Sequence, residues 1–67
     1  MKVKSFTFYK LNEKKPQEEQ EVIFVLKNDT MLMGTFANGW FHPDHANSKP
    51  IAQRQVFCWA DMNEYFN

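Results

Sequence analysis

The stretch from Glu21 to His42, EVIFVLKNDTMLMGTFANGWFH, constrains what this chain can fold into more than any other part of it. Val22 to Leu26 is an unbroken apolar run of strand length, the pattern of a strand covered on both faces. Lys27-Asn28-Asp29-Thr30 reads as a hairpin turn, because Asn and Asp tolerate left-handed backbone geometry. Met31 to Ala37 is the return strand, with Leu32, Gly34 and Phe36 on one face and Met31, Met33 and Thr35 on the other. A glycine inside a strand marks a bulge, a bend or a close approach of backbone. Asn38-Gly39 is the strongest turn signal in the chain, since a type I′ turn needs positive φ at both positions. Trp40-Phe41-His42 then begins a third strand.

The rest of the chain must complete that sheet within 67 residues, so a single domain spanning 1–67 is expected. A domain of this size buries only about 60% of its unfolded surface and is marginal without help. A disulfide inside the chain is excluded, because Cys58 is the only cysteine. That count favours a reducing compartment, and with neither a secretory h-region nor a run of about 20 apolar residues the expected location is the cytoplasm, with no membrane partner. The visible compensation is aromatic: seven Phe, two Trp and two Tyr. Each buried aromatic removes roughly 150–250 Å² from water, so a few of them can hold a small core.

The flanks read as follows. In VKSFTFYKL, residues 3–11, apolar and polar residues alternate with period two, predicting a strand with Lys4, Phe6 and Phe8 on one face and Tyr9 and Leu11 on the other. Asn12 to Gln20 is polar, contains Pro16 and has no apolar stripe, so it is a surface loop. His42 to Pro50 is a second polar loop bounded by prolines. Gln53 to Ala60 returns to strand composition, with Val56 and Cys58 on one side and Phe57 and Trp59 on the other. Asp61 and Glu64 have capping-box spacing, predicting one or two helical turns folded back on the sheet.

No catalytic set emerges. His42-x-x-His45 with Asp44 and Cys58 is the only metal-like grouping, and it lacks the paired ligands of a structural zinc site, so no metal and no cofactor are expected. Cys58 between Phe57 and Trp59 reads as a small hydrophobe rather than a nucleophile. Glu18, Glu19 and Glu21 read as a solvated acidic face, with nothing to hold two of them at a working separation. Gly34 and Gly39 are the only glycines, which excludes a phosphate-cradling glycine loop.

Two binding readings remain. Lys2, Lys4 and Lys10 interleave with Phe6, Phe8 and Tyr9, a basic–aromatic pattern suited to single-stranded nucleic acid. Zero net charge and a pI of about 6.7 count against it, since a basic footprint is the usual signature. A protein partner fits more features. Trp, Tyr and Met are enriched in interface cores, and Met31 and Met33, with Trp40 and Trp59 beside them, offer a face to a target protein or to a second copy as a homodimer.

Taken together, Phe8, Leu11, Pro16, the run Glu18-Glu19-Gln20-Glu21-Val22-Ile23-Phe24-Val25, Gly34-Thr35-Phe36 and Val56-Phe57-Cys58-Trp59 resemble a family of small phage and prophage proteins of unknown function. The shared pattern is an opening aromatic, a polar stretch with Pro, an E-V-[IL]-x-V strand, a central glycine-bearing hairpin and a terminal V-x-x-W. The chain departs from it in having Phe8 where Trp is usual, and Ala60-Asp61-Met62-Asn63 in place of a W-M-P-L-P tail. The resemblance implies a phage accessory protein acting on a host target.

The expectation is therefore an all-β (β-rich α+β) domain. It is a strongly bent antiparallel sheet of four or five strands, an SH3-like partial barrel, closed by a short C-terminal helix. Its expected role is non-enzymatic binding of a protein partner, with nucleic-acid binding as the alternative.

Overall fold

The Glu21–His42 stretch folds as the two hairpins its turn chemistry demands. The structure, a computed structural model, describes residues 6–45 and 47–66. The strands are β1 (Gln20–Leu26), β2 (Met31–Ala37), β3 (Trp40–Pro43), β4 (Ile51–Ala52) and β5 (Val56–Asp61), with 3₁₀ turns η1 (Gln53–Gln55) and η2 (Met62–Phe66). They form one antiparallel sheet in the order β4-β3-β2-β1-β5, strongly curled into a half-barrel. The first strand lies between β2 and β5, so the chain closes by bringing β5 back beside β1.

Both turns use the residues their geometry requires. Asn38 and Gly39 have φ of 55° and 81°, the paired positive values of a type I′ turn. In the first turn Asp29 is left-handed at φ 71°, and Asn28 Oδ1 accepts the Thr30 N–H at 3.1 Å. Gly34 is needed for a different reason. A Cβ there would lie 2.8 Å from the His42 carbonyl carbon and 2.9 Å from Pro43 Cα, because the end of β3 approaches β2 closely where Gly34 and Pro43 are opposite.

Residues directly opposite in the ladders share a face, and the concave face carries the core. Val22, Phe24, Phe36, Phe41, Val56 and Trp59 pack as one cluster, flanked by Tyr9, Leu11, Leu26, Leu32 and Ile51. Phe41 sits 4.9 Å from Phe24 and 5.0 Å from Phe36 between ring centroids, and each such pair is worth about 0.5–1.5 kcal/mol beyond area burial. On the convex face Ile23 and Ala60 are opposite one another and are also buried, where η2 packs against β1. β1 is thus buried on both faces over Val22, Ile23 and Phe24, with Val25 and Leu26 half-buried.

Three expected elements differ. Residues 3–11 do not form a strand among the described residues; only Tyr9 bridges Trp59, exchanging two backbone hydrogen bonds of 2.8 and 2.9 Å. The chain then turns at once, since the Glu13 and Lys14 N–H groups both donate to the Lys10 carbonyl. The expected strand from Gln53 begins instead at Val56, because Gln53–Gln55 makes a 3₁₀ turn in which Gln55 Oε1 accepts the Ala52 N–H at 3.3 Å. The short C-terminal helix is 3₁₀, not α. Asp61 Oδ1 caps the Asn63 N–H at 2.9 Å, but Glu64 Oε1 accepts from Thr7 N–H at 3.3 Å rather than closing a capping box.

Candidate functional site

The feature that decides which side chains reach the surface is a bulge in β5. Val25 pairs with Cys58 and Leu26 with Val56, so Phe57 is an extra residue without an opposite partner. The extra residue breaks the alternation. Val56 and Trp59, which simple period-two counting assigns to opposite sides, both enter the core, and Phe57 is left 51% exposed.

Trp59 is therefore corrected from a surface contact to a core residue, 1% exposed. Its indole Nε1 donates to the Lys14 carbonyl at 2.8 Å and its ring lies 5.3 Å from that of Tyr9. A buried indole N–H without such an acceptor would be costly, which makes the loop carbonyl part of the core. The other three expected contacts stay on the surface. Met31 and Met33 are 61% and 52% exposed, and Trp40 is exposed as well.

Met31 and Met33 stand next to each other on the convex face of β2, paired with Val25 and Ile23 of β1. Following the register outward, Val25 leads to Cys58 on β5, beside Phe57. Lys10 reaches over the Phe57 ring at 5.3 Å, and the neighbouring Phe8 is exposed, its ring 6.5 Å from Phe6 in an edge-on arrangement. Lys2 and Lys4, expected to share that basic–aromatic strand, lie outside the described residues. Among the described residues this makes one apolar band across β2, β1 and β5, with Lys10 over its edge.

Trp40 belongs to a separate part of the convex face. It pairs with Ala37 and Ala52 and, with Asn38, His42, Lys49 and Pro50, lines a shallow cleft of about 440 Å³. The turn beneath it is strapped from two sides: the Glu18 carboxylate accepts the Asn38 N–H at 2.7 and 3.0 Å, and Gln53 Nε2 donates to the Gly39 carbonyl at 2.9 Å. Glu18 thus acts as a structural cap.

The remaining polar groups can be placed one by one among the described residues. His42 Nε2 lies 3.2 Å from the Ala37 carbonyl, and no cluster of three or more His, Cys, Asp or Glu side chains could hold a metal among the described residues. Burial pushes the Cys58 thiol above its ordinary value, with the Lys10 ammonium pulling the other way, so the thiolate is disfavoured. His42 on β3 is three strand spacings from Cys58 on β5, about 14 Å along the sheet, too far to serve it as a base. Among the described residues no helix is long and apolar enough to cross a membrane.

Phe57 is the surface residue that sequence reasoning did not single out. An alternating Phe57-Cys58-Trp59 carries no signal that Phe57 is itself the bulged residue. Comparison of the chain with protein families, with curated proteins and with solved structures finds no match.

Proposed function

We propose that this chain is a non-enzymatic binding module that engages a protein partner through the convex face of β2. The observation that carries the reading is the pair Met31 and Met33, adjacent on one strand face and both more than half exposed. Large apolar side chains gain little by standing in water. Methionine is flexible and polarisable, which suits it to moulding against a partner surface. Val25 and Phe57 extend the same band, giving it the breadth of a docking patch rather than a single exposed side chain. The resemblance to small phage proteins favours a host protein in the cytoplasm as the target.

The experiment is photo-crosslinking in bacterial lysate, with a crosslinker at Thr35 beside the patch, comparing the native chain with a Met31→Glu/Met33→Glu variant. The expected result is one protein captured by the native chain and lost in the variant, whose Tm stays within about 3 °C, because both side chains are surface groups. Capture that is equal in the two chains, or no specific capture at all, refutes the reading. Solution mass measured beside it identifies a second copy of the 8.0 kDa chain as the occupant instead.

A further inference from the structure

At the end of the barrel where the β1–β2 turn meets η1 lies an open cleft of about 520 Å³, whose lining includes neither Met31 nor Met33. Leu26, Lys27, Asn28, Ile51, Arg54 and Gln55 line it. That volume falls within the range of small-molecule sites, about 300–1,000 Å³. The two walls are held together by the backbone, since the Lys27 N–H donates to the Gln55 carbonyl at 2.9 Å.

The polar lining is one-sided. Asn28 Oδ1 already accepts the Thr30 N–H at 3.1 Å, and Gln55 Oε1 already accepts the Ala52 N–H at 3.3 Å. Each amide has thus engaged its oxygen with the backbone and has its NH₂ donors left to offer. Lys27 and Arg54 are donors only, and among the described residues neither enters an ion pair. The lining contains no carboxylate. Below the donors, Leu26 and Ile51 present half-buried apolar surface continuous with the core. Two cations, two amide donors and no carboxylate in the lining favour an oxyanion, and Arg54 can meet it with a planar pair of N–H groups. The apolar floor selects a ligand in which that oxyanion is carried on an apolar or planar body.

We propose that this cleft binds a small ligand carrying a phosphate or a carboxylate on such a body. The test is a titration of the isotope-labelled full chain, followed by the backbone amide signals of Lys27, Asn28, Arg54 and Gln55. The probes are adenosine monophosphate and N-acetyl-leucine, with the uncharged adenosine and N-acetyl-leucinamide as controls. Expected are saturable shifts confined to these residues with a Kd at or below about 1 mM, weakened at least about tenfold in Lys27→Gln and in Arg54→Gln. Both side chains are exposed, so the spectrum elsewhere stays superimposable on that of the native chain. Tighter binding of the nucleotide assigns a phosphate source and tighter binding of the acyl amino acid a carboxylate source; either order supports the proposal. It is overturned by the absence of saturable shifts up to about 10 mM, by equal binding of the uncharged controls to the native chain, or by variants that bind as well as it does. Met31 and Met33 are untouched in these variants, so failure here leaves the docking reading standing, and the reverse holds too.

Discussion

Replacing Gly34 by alanine tests the packing logic of the whole sheet, because one methyl group is placed where the backbones of two paired strands come closest. The added Cβ would stand 2.8 Å from the His42 carbonyl carbon and 2.9 Å from Pro43 Cα, against the 3.5–4.0 Å at which carbon atoms rest comfortably. The obstructing atoms are backbone, so no rotamer change relieves the contact. β3 must move away from β2 by about 1 Å, which strains the Gly34–Pro43 and Thr35–His42 pairs and draws Phe41 from between Phe24 and Phe36. Overpacking a core typically costs about 1–3 kcal/mol, and damage to the ladder places this substitution at about 3 kcal/mol or more. For a domain of this size that is a fall in Tm of at least about 12 °C. Gly39→Ala is the internal control. There φ is 81°, the nearest neighbour to a Cβ is Gln53 Nε2 at 3.5 Å, and the cost is the ordinary left-handed penalty of about 1–2 kcal/mol. Urea unfolding followed by tryptophan fluorescence reads both, since Trp59 passes from the core into water. Gly34→Ala within about 1 kcal/mol of the native chain, or less damaging than Gly39→Ala, would sink the account of how β2 and β3 meet.

Trp59→Phe removes the hydrogen bond to the Lys14 carbonyl and leaves that acceptor to the core, so equilibrium unfolding is expected to show a loss of about 1–3 kcal/mol, whereas Trp40→Phe on the surface stays within about 0.5 kcal/mol. Cys58 reacts slowly with a thiol reagent at neutral pH, and its rate rises with a midpoint above the ordinary 9.0; a midpoint below that value refutes the burial argument. The native thiol holds its proton to higher pH than the unfolded one, so its contribution to stability is intact below about 9.0 and falls away as pH rises through the folded value. Lys10→Gln removes the opposing charge and moves the reactivity midpoint higher still.

The central hairpins were legible because their determinants are local. Asn38-Gly39 dictates its own turn by the conformations that two residues accept, and Val22 to Leu26 declares a doubly covered strand by having no polar face. The N-terminal segment misleads for a matching reason. Its alternation is real, with Tyr9 and Leu11 packed inward and Phe8 outward, but a strand also needs a partner of sufficient length. Among the described residues the turn beginning at Lys10 ends the pairing after the Tyr9–Trp59 bridge. Alternation reports which way side chains point, and it is silent on how far a ladder runs. The same limit explains the C-terminal turn: Asp61 and Glu64 satisfy the spacing of a box, yet Glu64 finds the Thr7 N–H, a partner remote in sequence.

The candidate site depended on non-local geometry twice over, and both cases turn on single residues. Phe57 reaches the surface, and Trp59 leaves it, because β5 must accommodate one more residue than β1 between paired positions, a mismatch decided only once the two strands meet. A period-two reading without the bulge keeps Val56 and Trp59 on opposite faces, and one of them would then be lost from the core. The bulge puts both inside, and its consequence is an aromatic ring beside Cys58 at the edge of the methionine band. Lys27 and Arg54 show the same dependence. Far apart in sequence, they face one cleft only because the backbone bond from Lys27 to Gln55 clamps the first turn to η1. Charge counted along the chain sums to zero and hides them; charge counted over the residues that line this cleft is positive, with no carboxylate among them.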